Sequence, residues 1–365
     1  MATGGSIAVF LPNWVGDVVM ATPAIRALVR HWPGRRIVLA GKPAALAALG
    51  PVGEPQDMVA LPGGIWASAR LLRRIGISQA VLMPNSFRSA LIARLAGADS
   101  IAGYARDARG WLLTQKLAPR RLPDGRYMPV PAVDYYIALA EMLGAHCASR
   151  DLALPLEPQH EAAAEIILAE CGSDRARPIV MLNPGASFGT SKMWSAEKYA
   201  ALADMLIERR GARIIVNAAP AERPIARWVV RAMRNAPAVS FAGRDNSLGL
   251  LKALLRRCDL LVTNDTGARH LAAAAGISVV TVFGSTDPEW SRIDYPRERI
   301  VRVDVECSPC QLKLCPLPAG PDYHKCLERV SPEMVLAAAE ELLDSPKPAA
   351  PAAPAGSVGG AGGGR

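Results

Sequence analysis

Polar residues interrupt an apolar pattern in the stretch Leu260–Gly276, "LLVTNDTGARHLAAAAG". Asp265 and Thr266 follow a strand-like run and open a helical one, where an Asp or Thr side chain caps free backbone N–H groups. Gly267 permits close approach of the backbone to a ligand, and His270 comes one helical turn later. A helix N-terminus attracts phosphate. The turn therefore predicts a phosphate site, although an ordinary capped helix with a surface histidine also fits these residues.

A second turn of the same kind lies upstream in "NPGASFGTSKMW" (183–194). Ser187, Thr190 and Ser191 offer hydroxyls, and Lys192 offers a compact positive charge for an anion. A polar loop with an incidental lysine is the simpler alternative. Two such turns in one half of the chain favour an anion-binding half over two incidental loops.

A third turn, "LPNWVGDVVMATPAIRAL", lies near the start of the chain. Gly16 and Asp17 end a strand-like run and begin a helical one. Asp17 is either a helix cap or a carboxylate that accepts a proton from a substrate hydroxyl. A base opposite an anion-binding half suits the transfer of a group from a diphosphate donor to a hydroxyl.

The elements that position these turns are short β-branched runs alternating with longer helical patterns. This alternation starts twice, near residues 7 and 178, and predicts parallel sheets covered on both faces. We expect an α/β fold of two Rossmann-like domains that face a central cleft, residues 1–155 and 156–343, and a disordered Pro/Ala/Gly-rich tail over 344–365. The predicted strands are 7–11, 37–40, 57–61, 79–83 and 100–104 in the first half, and 178–183, 212–217, 238–243, 259–264 and 278–284 in the second.

Composition limits the class of partner. The 365 residues carry a net charge of +9 with 5% aromatic residues, and no RNA-binding or helix-turn-helix signature occurs, so nucleic acid is not expected. The positive charge suits an anionic substrate or membrane surface, or is simply an Arg-rich solvated surface. No apolar run reaches about 18 residues and the N-terminus reads as a strand, not a signal peptide. We expect a cytoplasmic protein.

Several nucleotide-binding signatures are missing. Neither a Walker A motif nor G-x-G-x-x-G stands at a strand-to-helix turn, which disfavours P-loop enzymes and dehydrogenases. No Asp-x-Asp occurs, which argues against a diphosphate held by a metal.

In order along the chain, "PNWVGDVVMATPAIRAL", "PNSFRSALIARLAG", "NPGASFGTSKMW", "VTNDTGARHLAAA" and "CSPCQLKLCPL" resemble the motifs of the ADP-heptose:lipopolysaccharide heptosyltransferases, glycosyltransferase family nine. The similarity spans about residues 7 to 343 and is greatest to the heptosyltransferase II subgroup. It implies a GT-B fold and an inverting transfer of heptose from ADP-heptose, with no cofactor or metal required. The acceptor would be an inner-core heptose of lipid A-linked lipopolysaccharide, met at the cytoplasmic face of the inner membrane.

The resemblance also implies roles for single residues. Asp17 would be the general base, and Lys192 would stabilise the departing ADP. The donor would be held by Ser187, Glu222, Asp265, Thr266, Gly267 and His270. Asn85, Ser86 and Arg88 follow a first-half strand, and Arg106 and Arg109 lie in "GYARDARGW". These five are predicted to meet a phosphorylated acceptor, although surface arginines without a role also fit the pattern. The alternatives are another family-nine transferase with a different donor or acceptor, and a non-catalytic nucleotide-sugar-binding protein.

Four cysteines cluster in "CSPCQLKLCPLPAGPDYHKC": Cys307, Cys310, Cys315 and Cys326. The first pair has the C-x-x-C spacing of a metal knuckle, and disulfides are rare in cytosolic proteins. A structural zinc and a set of reduced thiols are both open, with His324 as a substitute ligand. We expect the cluster to lie away from the chemistry.

Overall fold

The computed structural model describes residues 5–50, 56–172, 174 and 176–346. These residues form two α/β units, each built on a six-stranded parallel sheet. The predicted tail at 344–365 lies outside the described residues from 347 onward. The structure thus confirms the expected fold class.

The first sheet has the strand order β3-β2-β1-β4-β5-β6, the order of a dinucleotide-binding Rossmann domain. Its strands alternate with helices that cover both faces. Its strands are β1 (Ser6–Phe10), β2 (Ile37–Gly41), β3 (Asp57–Ala60), β4 (Ile77–Leu82), β5 (Ser100–Tyr104) and β6 (Gln115–Leu117). Its helices are α1 (Val15–Met20), α2 (Thr22–His31), α3 (Pro43–Leu49), α4 (Ile65–Ile75), α5 (Phe87–Leu95) and α6 (Ala132–Met142).

Alternation along β1 divides the core of the first unit. Ile7 and Val9 pack with α1, α2, α3 and α6 on one face of the sheet. Ala8 and Phe10 pack with α4 and α5 on the other. A strand buried on both faces explains why the sequence shows an almost continuous apolar run there.

The second sheet has the order β12-β11-β10-β7-β8-β9, which repeats the topology of the first. Its strands are β7 (Ile179–Asn183), β8 (Arg213–Val216), β9 (Val239–Ser240), β10 (Leu260–Asn264), β11 (Ser278–Val282) and β12 (Glu298–Val301). Its helices are α7 (Pro158–Ala169), α8 (Ala196–Arg210), α9 (Arg223–Ala232), α10 (Leu248–Leu255), α11 (Gly267–Ala274), α12 (Lys325–Glu328) and α13 (Pro332–Asp344).

The structure differs from the predicted elements at three places. The predicted first helix is two helices, because Pro23 stands at the start of α2 and cannot donate a backbone hydrogen bond. The sequence reasoning also missed the edge strands β6 and β12, since β6 is short and largely exposed and β12 opens with Glu298 and Arg299. Edge strands with polar residues lack the apolar run used to find the others.

The two units pack directly on one another. α1 of the first unit packs against α11 of the second, and Val19 is buried within the second unit's core. α3 also packs against α10, where the buried Lys252 ammonium donates to the carbonyls of Ala48 and Pro155 at 3.3 and 3.2 Å. The two units therefore share an apolar contact at Val19 of α1 and a buried hydrogen-bonded ammonium at Lys252 of α10.

Candidate active site

Two helix tips meet where the sheets face each other. α1 follows β1 and α11 follows β10, so both helices begin at the carboxyl edge of their sheets. A Cβ on Gly267 would lie only 3.0 Å from Cβ of Val15 and 3.1 Å from the Gly16 nitrogen. A larger residue at position 267 would therefore crowd the backbone of α1. This contact brings Asp17 of one unit next to Asp265 and Lys192 of the other.

Asp17 lies in the first turn of α1 with a perturbed acidity. Burial, reinforced by the nearby Asp265 carboxylate, raises the pKa of Asp17 from 3.8 to about 6, and Lys192 opposes the shift. A carboxyl group with this pKa is a stronger base than an ordinary aspartate and is still mostly ionised at pH 7. Its role as a base for a bound hydroxyl stays a prediction.

Lys192 and Asp265 form an ion pair within the second unit. The Lys192 ammonium lies 2.5 Å from Oδ2 of Asp265, and the two side chains are only 13% and 10% exposed. Thr286 donates to the same carboxylate at 2.8 Å, and the ring of Phe188 lies 4.7 Å from the ammonium. The pair fixes a positive charge beside the N-terminus of α11.

The electrostatics of Asp265 are set by its neighbours. Burial alone would raise the pKa of Asp265, but Lys192 and Arg269 outweigh it, and the pKa lies below its ordinary value. Asp265 therefore stays ionised, while the pKa of Asp17 across the domain contact is raised. One carboxylate is a fixed charge and the other is a titrating base, the division of roles expected for paired acids in a site.

The N-terminus of α11 corrects one expectation. Thr266 is the N-cap residue, but its side chain makes no capping hydrogen bond. Its hydroxyl instead contacts the hydroxyl of Thr263 at 3.1 Å and accepts from the Asn183 amide at 3.4 Å. The first backbone N–H groups of α11 thus have no side-chain cap, which leaves them available to an anion.

His270 is buried at the same contact. Burial, and then the positive charges of Arg269 and Lys192, lowers the pKa of His270 from 6.5 to about 3, although Asp265 opposes this. Its Nδ1 makes no hydrogen bond to the described residues. The imidazole is therefore neutral and retains hydrogen-bonding capacity for a ligand.

Ser187 and Glu222 lie on two neighbouring loops of the second unit. Ser187 is exposed in the loop after β7. Glu222 ends a short turn after β8, and its carboxylate accepts from the Ala219 nitrogen at 3.3 Å. That carboxylate occupies the space that a side chain at position 185 would need. Burial raises the pKa of Glu222, with the Ala219 N–H opposing it.

Buried amides that the sequence reasoning missed join these loops. Asn217 donates to Asn183 at 2.7 Å, and Asn246 donates to Asn217 at 2.5 Å. Asn264 donates to the carbonyls of Pro184 and Gly185 at 2.8 and 3.2 Å. A signal was present, because "VMLN", "IIVN" and "LVTN" each place an Asn where a strand ends. The amides hold the loops around Lys192 and Glu222 in register.

Arg269 is a second missed residue. Its fully buried guanidinium pairs with Glu298 on β12 at 2.5 and 2.8 Å and donates to Ser291. The same guanidinium lies 3.9 Å from Oδ1 of Asp265. The positive charge of Arg269 thus helps to keep Asp265 ionised, and Glu298 neutralises that charge.

The cysteine segment corrects another expectation. The carbonyls of Leu312 and Lys313 accept from the hydroxyl of Ser191 at 2.5 Å and its backbone nitrogen at 3.2 Å. A Cβ on Gly189 would collide with the Lys313 carbonyl, 2.2 Å away. The segment therefore braces the turn that carries Lys192, and the expectation that it lies away from the chemistry is wrong.

The four thiols converge on one small cavity, which His324 also lines: Cys307, Cys310, Cys315 and Cys326. Burial, and then the proximity of the other three thiols, raises the pKa of Cys326 to about 11. Among the described residues, however, no three His, Cys, Asp or Glu side chains are arranged to ligate a metal. Four thiols and an imidazole are donors that suit zinc, but their placement here is not that of a metal site. The zinc stays a prediction.

The predicted acceptor residues divide into two groups. Asn85 and Ser86 follow β4, where Asn85 accepts from the Tyr135 hydroxyl at 2.9 Å and Ser86 caps α5. Arg88 is exposed, and the guanidinium of Arg106 stacks 3.8 Å above the Tyr127 ring. Arg109 is different: it is fully buried and donates to the Pro84 and Tyr104 carbonyls. The geometry gives Arg109 a role in shaping the loop and no exposed surface for an acceptor.

A comparison with known families decides the class of protein. The model of Glycosyltransferase family 9 (heptosyltransferase) matches residues 65–319, more than half of the chain. The chain belongs to glycosyltransferase family 9. It is therefore a glycosyltransferase, as the motif pattern predicted.

Curated relatives and solved structures agree with this assignment. The chain is 28% identical over 352 residues to lipopolysaccharide heptosyltransferase 2 of Salmonella typhimurium, covering 92% of this chain and 98% of the relative. It is 26% identical to lipooligosaccharide heptosyltransferase 2 of Campylobacter jejuni, with the same coverage of both chains. The solved E. coli ADP-heptose LPS heptosyltransferase II superposes with a TM-score of 0.72 at 25% identity, over 93% of this chain and 98% of that one. The GT-B fold and the resemblance to heptosyltransferase II are confirmed.

The family-9 enzyme has no described helix with the length and hydropathy to cross a bilayer.

Proposed function

We propose that this enzyme transfers heptose, with inversion, from ADP-heptose to a heptose of the inner core of lipid A-linked lipopolysaccharide. The single observation that carries the proposal is the placement of Asp17, with a pKa of about 6, beside the Lys192–Asp265 pair across the domain contact. The names of the relatives supply the sugar and the acceptor class.

The proposed reaction is a single displacement at the anomeric carbon of the heptose. The acceptor oxygen forms the new bond as the bond from the anomeric carbon to the phosphate oxygen breaks. The acceptor proton passes to the Asp17 carboxylate, and ADP leaves with the bonding electron pair. One displacement inverts the configuration. Asp265 does not suit a covalent role, because Lys192 and Thr286 already occupy its carboxylate.

Charge that develops on the leaving diphosphate meets fixed positive partners. Lys192 stands beside the start of α11, whose first N–H groups have no side-chain cap. Preorganised donors of this kind stabilise a transition state without reorganisation, and each is worth on the order of 10²–10³ in rate. In our proposal these groups neutralise the diphosphate, so the transfer requires no metal. Neutral His270 adds a hydrogen-bonding group.

Glu222 and Ser187 complete the donor side of the proposal. The Glu222 carboxylate lies against the loop after β7, where it can accept hydrogen bonds from ribose hydroxyls. The acceptor side is formed by Asn85, Ser86, Arg88 and Arg106, whose polar and cationic groups suit a phosphorylated sugar. We place the enzyme in the cytoplasm, at the inner face of the membrane that carries lipid A.

The test is transfer of heptose by the purified protein. ADP-heptose is incubated with lipopolysaccharides truncated at successive core sugars, with and without a chelator, and the product linkage is read by mass spectrometry and NMR. We expect transfer only to acceptors that end in an inner-core heptose, with inverted anomeric configuration and undiminished rate under chelation.

Each competing function gives its own result in this assay. Transfer from another nucleotide sugar would identify a family-9 enzyme with a different donor. Binding of ADP-heptose with no transfer to any acceptor would identify a non-catalytic binding protein. Retained configuration or loss of rate under chelation would contradict the proposed mechanism.

A further inference from the structure

The positive charge of the chain is concentrated in one segment. Residues 63–130 hold 11 Lys and Arg but three Asp and Glu, a net charge of +8. All other residues together hold 31 Lys and Arg and 30 Asp and Glu, a net charge of +1. This distribution differs from a uniformly Arg-rich surface, because the excess charge belongs to the part of the first unit that runs from α4 to the loop before α6.

The same segment exposes large aromatic side chains. Trp66 and Trp111 are 75% and 74% exposed, and Phe87 is 39% exposed. The rings of Phe87 and Trp111 lie 6.1 Å apart, so these two form one aromatic patch. Contact of two tryptophan rings with water is unfavourable, and such an exposed apolar surface is typical of a site that another surface covers.

Helix α4 joins the aromatic and basic features. Trp66, Arg70, Arg73 and Arg74 are all exposed, and their i, i+4, i+7, i+8 spacing places them on one helical face. Ala69 and Leu72 face the core on the opposite side. A helix with Trp and Arg on its outer face and a buried inner face suits the interface of a bilayer, where Trp rings lie at the headgroup level.

The position of this face fits an acceptor held on a membrane. Trp66 and Phe87 lie in the first turns of the helices that follow β3 and β4, and Trp111 follows β5. These are the carboxyl ends of parallel strands, the same sheet edge from which α1 presents Asp17. A bilayer in contact with the aromatics would therefore lie beside the edge that receives the acceptor.

We propose that Trp66, Arg70, Arg73, Arg74, Phe87 and Trp111 form a docking face for anionic phospholipid headgroups of a bilayer. The tryptophans enter the interfacial region, and Arg70 and Arg74 pair with lipid phosphates. Arg73, whose guanidinium donates to the Leu95 carbonyl, adds its charge to the face. Charge complementarity selects this occupant, since an anionic surface attracts clustered Arg next to the membrane. The inference rests on the proposed function only in that the docked bilayer is the one carrying the acceptor.

The test measures binding of the full chain to vesicles that contain no acceptor. Vesicles of phosphatidylglycerol and phosphatidylethanolamine are compared with vesicles of phosphatidylcholine, by co-sedimentation and by tryptophan fluorescence. We expect binding to the anionic vesicles that weakens as salt rises. The double variant Trp66→Ala/Trp111→Ala should partition about tenfold less. Trp228→Ala is the matched control, because Trp228 is 64% exposed on α9 of the second unit.

Charge is tested separately from aromatic insertion. Arg73→Glu/Arg74→Glu should lower binding to anionic vesicles about tenfold, while Arg256→Glu, an exposed arginine of the second unit, should not. Neither Trp66→Ala/Trp111→Ala nor Arg73→Glu/Arg74→Glu should alter the rate of transfer to a soluble, deacylated acceptor. Equal binding of wild type and both double variants would overturn the docking face.

Two further outcomes separate this inference from the proposed function. Vesicle binding without transfer to any acceptor would leave the docking face standing and reject the transferase proposal. Unchanged vesicle binding with slower transfer to the soluble acceptor would overturn the docking face, because the tryptophans would then be a platform on which sugars stack.

Discussion

Gly16 and His270 meet across the domain contact: a Cβ on residue 16 would lie 2.8 Å from Cδ2 of the His270 ring. The ring is buried and has little room to retreat. Gly16 lies in α1 of the first unit and His270 in α11 of the second, so this contact limits how closely the two helix tips approach. The site is assembled only when both units are in place.

Gly16→Ala should therefore push α1 away from α11 and misplace Asp17. We expect kcat/KM to fall about 100-fold, since a shift of about 1 Å in a catalytic group has this effect, together with a lower Tm. Gly243→Ala is the control, because a Cβ there meets nothing within 4 Å. Equal activity of the two variants would show that the helix contact does not position Asp17.

Asp17→Asn should abolish most transfer while leaving ADP binding nearly unchanged. Loss of a general base costs about 10²–10⁴ in rate, and the amide is of the same size.

For the unmodified enzyme, kcat/KM should fall tenfold per pH unit below about pH 6, the pKa of Asp17. Neutral His270, with a pKa of about 3, should add no step in this range. An acid limb near pH 4, or a variant as active as the parent, would remove Asp17 from this role.

The same substitution should stabilise the fold at neutral pH. Asp17 binds more protons when folded than unfolded between pH 3.8 and 6, so its contribution to stability falls as pH rises through that range. Asp17→Asn should raise the free energy of unfolding at pH 7 on the order of 1–3 kcal/mol, and the gain should disappear near pH 4. Urea unfolding at the two pH values measures it, and an equal gain at both would contradict the raised pKa.

Lys192→Ala should weaken donor binding and turnover together. It removes a partner of the leaving diphosphate, worth on the order of 10²–10³ in kcat, and leaves Asp265 with a higher pKa. Calorimetry with ADP and steady-state kinetics measure the two effects. Lys198→Ala is the control, since Lys198 is also largely buried and pairs with Glu328 at 2.9 Å. Unchanged kinetics in Lys192→Ala would place it outside the site.

Arg269→Met should destabilise the enzyme by about 3–5 kcal/mol, because it leaves the Glu298 carboxylate buried without its partner. Arg269→Met/Glu298→Gln should recover part of that loss, since no buried charge then lacks a partner. Denaturant unfolding of the single and double variants forms the cycle. A double variant as unstable as the sum of its parts would show that the two side chains are not coupled.

The predicted zinc is tested by elemental analysis of protein purified without added metal. About one equivalent, lost in Cys307→Ser and retained in Cys258→Ser, would establish the site at the convergent thiols. Less than a tenth of an equivalent would leave the four cysteines as reduced thiols.

Local pattern was enough to predict the sheets and the polar turns. Central strands such as β1 and β10 are buried on both faces, so each appears as an apolar run that ends at a polar residue. Asn13 and Asn264 are the polar residues at the ends of these runs, and Asp17 and Asp265 follow them at the carboxyl edges of the two sheets. Edge strands β6 and β12 carry no such run and were missed.

Pairings between distant residues could not be predicted in the same way. Arg269 and Glu298 lie 29 residues apart, and Ser191 and Leu312 lie 121 apart. Nothing in either local sequence indicates the partner, because the partner is selected by how the sheet and its loops pack. Arg109 shows the same limit. Its positive charge suggested contact with a phosphorylated acceptor, but the side chain is buried and supports a loop.

Val19 is made early in translation, yet its neighbours in the second unit's core include residues of α11, about 250 positions later. At roughly 5–20 residues per second, the ribosome needs about 10–50 s to reach them. During that interval the nascent first half carries an uncovered apolar stripe along α1. The helix that carries Asp17 is thus also a segment on which chaperones can act throughout that interval.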